Sequence, residues 1–119
     1  MHRLNKNHKN YPNLIKTVKD AIYEKRTTLN ISQSFLAETC DITRNCIQQL
    51  ECSEHIPDLT TLFKIFEALG FSESEFSEFM TDARQAFRAD VKLQKEMIDL
   101  LRYSAVETKN SELIAFVTV

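Results

Sequence analysis

Apolar residues recur every three or four positions along most of the chain, which is the spacing of α-helices. The first such pattern begins at Pro12, a residue that suits the first turn of a helix, and continues to Lys25 or Arg26. We predict a first helix there, with an apolar face formed by Leu14, Ile15, Val18 and Ile22. Residues 1–11 are polar and basic without periodicity, so we expect a flexible arm.

Three shorter helices are predicted next, each preceded by a residue that caps helix N-termini well. The capping residues are Ser32, Thr43 and Asp58, and the helices are expected at residues 33–39, 44–51 and 59–69. Two of these helices end at residues that tolerate the left-handed conformation, namely Asp41 and Gly70.

The last helical pattern covers residues 74–104, which contain neither Gly nor Pro. It predicts either one helix of about 30 residues or two helices joined by a bend near Thr81 and Asp82. Residues 113–117 are rich in β-branched and aromatic side chains, which favours a short strand. The predicted fold is all-α: a five-helix domain over 12–81, then a C-terminal helix and a possible short C-terminal strand within 82–119.

Composition excludes most enzyme signatures. The chain has one glycine in 119 residues, so no Gly-dependent phosphate loop can be formed, and its three histidines lack the i, i+4 spacing of a zinc-protease helix. We find no nucleophile–base pair or ligand cluster and predict neither an enzyme nor a cofactor.

The spacing of Cys40, Cys46 and Cys52 matches no zinc site, so we interpret them as small apolar fillers. Neither a secretory signal nor a membrane span is predicted, which favours a cytoplasmic protein.

The second and third predicted helices have the dimensions of a helix-turn-helix. Ala37 is small enough for close helix packing, and Ile42 can fill the turn. The outward side chains of the third helix are polar with paired donors and acceptors, as base recognition requires: Thr43, Arg44, Asn45, Gln48 and Gln49. The alternative is an αα-hairpin that has a polar surface and no DNA partner.

A longer motif supports the DNA-binding interpretation. Its elements are the segment 31–38, the segment 41–51, and Pro57 with Thr61, Leu62 and 68–70. In this order and spacing, residues 14–79 resemble the lambda-repressor-like, Xre-type helix-turn-helix family of prokaryotic and phage regulators. The resemblance implies that Gln33 bonds a DNA phosphate and that Arg26 pairs with Glu51. It also implies that four residues face phosphates and base edges: Thr43, Arg44, Asn45 and Gln49.

Two departures from the family pattern affect the phosphate contacts. Asp41 stands where the family usually has Gly, which is conformationally acceptable. Ser53, Glu54 and His55 stand where the family usually has Gly and basic residues, and Glu54 would repel phosphates. Residues 1–50 carry a net charge of +4 and residues 51–119 one of −6. We therefore expect the phosphate grip from the basic N-terminal part, through Arg3, Lys6, Lys9, Lys16 and Lys19.

The leading hypothesis is a sequence-specific double-stranded DNA-binding regulator, a dimeric repressor in the nucleoid of a prokaryote or encoded by a phage. The alternative is an antitoxin-like protein whose acidic, apolar C-terminal segment binds a basic protein partner. The apolar band after residue 82 predicts the dimer interface, through Val91, Met97, Ile98, Leu101 and Phe116. The competing possibility is that this helix folds back onto its own domain.

Overall fold

The structure, a computed structural model, describes residues 11–52 and 55–108. Five helices follow one another in that part of the chain: α1 (Pro12–Thr28), α2 (Gln33–Cys40), α3 (Arg44–Glu51), α4 (Leu59–Ala68) and α5 (Glu73–Thr108). No strand occurs among those residues, and the all-α prediction is confirmed. The strand predicted at 113–117 lies outside the described residues, as do the first ten residues of the basic arm.

The three predicted N-caps each accept a backbone hydrogen bond, as the sequence indicated. The Ser32 hydroxyl accepts from the N–H of Phe35 at 3.0 Å and thereby starts α2. Thr43 does the same for α3 at 3.3 Å, and the Asp58 carboxylate accepts the N–H of Thr61 at 2.8 Å to start α4. Each bond satisfies one of the amide donors that a helix N-terminus leaves without an intrahelical partner.

Left-handed residues close three of the helices. Asp41 has φ +56° after α2, and Gly70 has φ +70° after α4, as expected. Asn30 has φ +59° after α1, which extends to Thr28 rather than ending at Lys25 or Arg26. The prediction stopped α1 too early because the apolar period ends there, whereas the helix continues to Thr28 and the left-handed turn comes only at Asn30.

The core lies where the first four helices meet the first half of α5. Its completely buried side chains come from every one of those four helices: Ile22, Leu36, Ile47, Leu50 and Ile65. The ring of Phe66 packs edge-on against Phe71 and Phe76, with centroids 4.7 Å and 5.4 Å away, and contacts Phe79. This aromatic cluster joins α4 to the start of α5.

Helix α5 is a single helix of 36 residues, which decides between the two predicted arrangements. Its first half packs against α1, with Ala83 and Asp90 buried and a 2.7 Å ion pair between Glu75 and Lys25. Residues 91–104 include no buried side chain. The contacts of the domain therefore continue past residue 81, where we placed a boundary, as far as Asp90.

Asp90 caps α1 from across the molecule. Its carboxylate accepts the backbone N–H of Asn13 at 3.1 Å and that of Leu14 at 2.9 Å, and it also accepts the side-chain amide of Asn13 at 2.8 Å. The residue at the N-cap position of α1, Tyr11, makes no side-chain cap bond. The carboxylate is 1% exposed and lies at the positive end of the helix dipole, where a negative charge is stabilised.

We predict that Asp90→Ala lowers the free energy of unfolding by about 1–3 kcal/mol, because two backbone donors of α1 lose their acceptor in a buried site. Urea denaturation followed by circular dichroism measures the change. Asp82→Ala, which removes an exposed carboxylate from the same helix, is the matched control and should leave the midpoint close to that of the wild type. Equal midpoints for Asp90→Ala and the control would contradict the assignment of Asp90 as a cap.

Candidate nucleic-acid interface

Helices α2 and α3 form the helix-turn-helix unit. A turn over residues 41–43 joins the two eight-residue helices, and the N–H of Ile42 donates to the Ala37 carbonyl at 3.0 Å. Ala37 is buried, so its methyl group lets the helices approach closely. The turn therefore fixes the direction in which α3 leaves α2.

Helix α3 has an inner face in the core and an outer face in solvent. Ile47 and Leu50 are completely buried, whereas Arg44, Asn45 and Gln48 are exposed and Gln49 is half-buried. Thr43 is exposed at the start of the helix, where its hydroxyl caps α3. The predicted base-reading residues therefore share one surface.

The outer face of α3 has the hydrogen-bonding groups that read base edges. Arginine donates two parallel bonds to guanine O6 and N7, and asparagine or glutamine pairs with adenine N6 and N7. Within the part of the chain that the structure describes, Arg44 makes no ion pair. The Arg44 guanidinium can therefore contact DNA without first losing an ion pair to a described residue.

Arg26 and Glu51 form a two-bond ion pair behind this surface. Arg26 Nε and Nη2 donate to the two carboxylate oxygens of Glu51 at 2.6 Å and 2.8 Å. The two side chains are 12% and 5% exposed, so water screens the pair only weakly. The hydrogen bond to Glu51 raises the pKa of Arg26 above its ordinary value.

Two further hydrogen bonds enlarge the pair into a network that joins three helices. The Gln33 side-chain nitrogen donates to Glu51 Oε1 at 2.8 Å, and Arg26 Nη1 donates to the Ile31 carbonyl at 2.6 Å. The network thus links the end of α1, the start of α2 and the end of α3. From the sequence we placed Gln33 at a phosphate and missed its bond to Glu51. The position of Gln33 at the start of α2 could have indicated this bond, because a helix-turn-helix brings the start of α2 near the end of α3.

Lys16 and Lys19 lie on α1 and share one carboxylate. Their ammonium nitrogens are 2.7 Å and 3.3 Å from Asp20 oxygens. The hydrogen bond from Lys16 lowers the pKa of Asp20, and the same bond raises the pKa of Lys16. The three residues together carry a net charge of +1, so Asp20 cancels half of the positive charge that these lysines were predicted to offer to phosphates.

Tyr23 continues the surface from Lys19 to the ion-pair network. The Lys19 ammonium lies 5.2 Å from the centre of the Tyr23 ring, and the Arg26 guanidinium lies 5.5 Å from it. Cations over an aromatic face are attracted by the negative charge of its π-electrons. Lys19 therefore lies on the same face of α1 as Arg26, the residue that pairs with Glu51.

Several predicted residues lie elsewhere. Val91, Met97, Ile98 and Leu101 are exposed on the second half of α5, away from the core. The remaining predicted contacts lie outside the described residues: Arg3, Lys6, Lys9, Ser53, Glu54 and Phe116.

The three cysteines are free thiols in three different environments. Cys40 is buried in the core, Cys46 is half-buried and Cys52 is exposed just after α3. Burial raises the pKa of the Cys40 and Cys46 thiols. The interpretation of the cysteines as small apolar fillers is therefore right for the buried Cys40 and wrong for the exposed Cys52.

No group of three or more metal-ligating side chains is found among the described residues. No helix within residues 11–52 and 55–108 combines the length and apolarity that crossing a membrane requires.

Comparison with known proteins agrees with the geometry of α2 and α3. A family model described as helix-turn-helix matches residues 22–76, from the middle of α1 to the first turns of α5. No curated protein and no solved structure matches the chain. The family match contains the whole ion-pair network and the whole outer face of α3.

We predict that Glu51→Gln lowers the free energy of unfolding by about 3–5 kcal/mol, because it leaves the guanidinium of Arg26 in a nearly dry site without its counter-charge. Urea denaturation measures the loss. Asp20→Asn removes a carboxylate from an exposed pair on the same helix as Arg26 and should unfold close to the wild type. A Glu51→Gln curve that overlays the wild type would show that the pair contributes nothing to stability.

Proposed function

We propose that this chain is a dimeric, sequence-specific transcriptional repressor of the lambda-repressor-like, Xre type, since a helix-turn-helix family model matches its residues 22–76. Its α3 would lie in the major groove of double-stranded DNA. The observation that carries the proposal is the outer face of α3, which exposes Arg44, Asn45 and Gln48 while Ile47 and Leu50 hold the helix to the core.

Base reading is assigned to Arg44, Asn45, Gln48 and Gln49. The first two lie in the first turn of α3, and the N-terminal residues of a recognition helix are those that reach base edges. Gln49 lies one turn further on, where it can read a neighbouring base pair. Thr43 and Gln33 are assigned to phosphates, with Gln33 held by Glu51 at 2.8 Å.

Phosphate binding by α1 is assigned to Lys16 and Lys19. The Lys16 side chain is 72% exposed, so a phosphate can approach it. Asp20 holds both ammonium groups, and a phosphate must compete with that carboxylate. The affinity for DNA of any sequence is therefore weakened by a residue of the same helix.

A dimer is proposed because α3 has only eight residues and contacts too few base pairs for useful specificity. Two copies bind half-sites about 34 Å apart, one turn of DNA, and so double the number of bases read. The exposed apolar residues of α5 beyond Asp90 supply a surface on which a second copy can pack.

The same surface supports one alternative function, an antitoxin-like protein in which the C-terminal segment binds and neutralises another protein. Copurification with an untagged neighbour from the native operon distinguishes the two functions. Selection of bound duplexes from a random pool tests the leading one: enrichment of a sequence with two related half-sites is expected. Enrichment of nothing, together with a copurifying partner, would favour the alternative.

We predict that Arg44→Ala, Asn45→Ala and Gln49→Ala each weaken binding to the selected DNA by about 1–3 kcal/mol and each relax the preference at a different base pair. Binding to selected and scrambled duplexes, measured by fluorescence anisotropy, separates specific from general loss. Equal loss on both duplexes for Arg44→Ala would remove it from the base-reading set.

We predict opposite effects for two changes on α1. Lys16→Ala should weaken binding to every sequence alike and reduce the steepness with which affinity falls as salt rises, because one phosphate contact is lost. Asp20→Asn should strengthen binding to every sequence, because it releases both lysines. Anisotropy titrations over a range of salt concentrations measure both. Unchanged affinity and salt dependence in both variants would place phosphate binding elsewhere in the chain.

A further inference from the structure

The exposed half of α5 carries a regular seam. Phe87, Val91, Gln94, Ile98 and Leu101 follow one another at alternating intervals of four and three residues. This is the heptad spacing of helices that supercoil around each other, and it keeps these five side chains on one face. The four apolar members are between 39% and 45% exposed. One face of the Phe87 ring stacks on Tyr11, with centroids 5.5 Å apart, and Val91, Ile98 and Leu101 are accessible along the rest of the seam.

The helix needs a partner along this seam. The 18 residues from 91 to 108 extend about 27 Å at the rise of an α-helix. Helical segments of this length are only marginally stable in water by themselves, and packing of the apolar face supplies most of the stability of helices in proteins. No side chain of residues 91–104 is buried against the chain's own domain.

Charged residues follow one edge of the seam. Arg88, Lys95 and Arg102 are spaced seven residues apart and are all exposed. None of them forms an ion pair within residues 11–52 and 55–108. The other edge carries Asp90, Met97 and Ser104 at the corresponding positions, and Asp90 is buried against the start of α1. The two edges therefore differ in charge.

We propose that this seam pairs with the same seam of a second copy as a parallel, in-register two-helix coiled coil. The basic edge disfavours the antiparallel arrangement. Antiparallel helices of this register would place Arg88 beside Arg102 of the second copy and Lys95 beside its own equivalent, and like charges so close repel. Parallel helices place the basic edge beside the edge of Asp90, Met97 and Ser104 of the second copy instead, which carries no positive charge.

Gln94 favours the same orientation. In a parallel, in-register pair the two Gln94 side chains meet, and each amide can both donate a hydrogen bond and accept one. In the antiparallel register each Gln94 would lie against Ile98 of the second copy and could not meet its own equivalent. A polar residue in an apolar seam is a known means of fixing helix register.

The orientation has a consequence for DNA binding and rests on the dimer proposed above. Parallel helices bring both helix-turn-helix domains to the same end of the coiled coil, since each domain lies on the N-terminal side of Val91. Both copies of α3 can then face one DNA duplex. In the antiparallel arrangement the two domains would lie at opposite ends of the coiled coil.

Disulfide trapping tests the orientation on the full chain. Val91→Cys and Leu101→Cys are made singly and together in a Cys52→Ser background, which removes the exposed native thiol. In the parallel register each single variant places two cysteines within disulfide reach, and most of each should run as a linked dimer on a non-reducing gel. Glu96→Cys, on the side of the helix opposite the seam, is the control and should remain unlinked.

The antiparallel register gives the reverse result. There Leu101 lies about 15 Å along the axis from its own equivalent, so the single variants stay unlinked and only the double variant links, through residues 91 and 101. That outcome overturns the proposed orientation and leaves the dimer intact. A wild-type chain that is monomeric at micromolar concentration in light scattering, while still binding the selected DNA, overturns the coiled coil and the dimer but not the DNA-binding function.

Discussion

The ion pair between Arg26 and Glu51 determines where the outer face of α3 points. Helix α3 has eight residues, which is too short to be stable in isolation, so its position depends on what holds its two ends. Thr43 and the backbone bond from Ile42 to Ala37 hold the first end. The last end is held by the carboxylate of Glu51, which accepts three hydrogen bonds from Arg26 and Gln33.

The ion pair depends in turn on α1, and α1 depends on α5. Arg26 lies in the last turns of α1, a helix whose first turn has no side-chain cap of its own. Asp90, 77 residues after Asn13, supplies that cap from the middle of α5. The helix proposed to carry a second copy is thus packed on the helix that fixes the recognition surface. Asp90 and the Arg26–Glu51 pair therefore hold the two ends of α1.

Local features of the sequence were sufficient for the helices and their caps. Ser32, Thr43 and Asp58 act on amides three residues away, and Asp41 adopts its left-handed conformation next to the helix it ends. The same reasoning could not find Asp90, because no periodicity connects it with the start of α1. It also left open whether residues 74–104 bend, since the absence of Gly and Pro permits a long helix without requiring one. Burial of Phe79, Ala83 and Asp90 along one face of α5 decided that point.

The outer surface of α3 bears on why base contacts and the proposed second copy would matter for this protein. Among the outward residues of α3, Arg44 is the only one with a formal charge, and on α1 Asp20 offsets one of the two lysines assigned to phosphates. Phosphate contacts supply most of the affinity that is independent of sequence, so the described residues of α1 and α3 would bind only weakly by themselves. Linking two such domains makes the second binding event intramolecular, which raises the overall affinity without any new contact. The few free cations on α1 and α3 and the proposed pairing of two copies through α5 are therefore compatible parts of one design, in which selectivity for a paired site would exceed that for isolated half-sites.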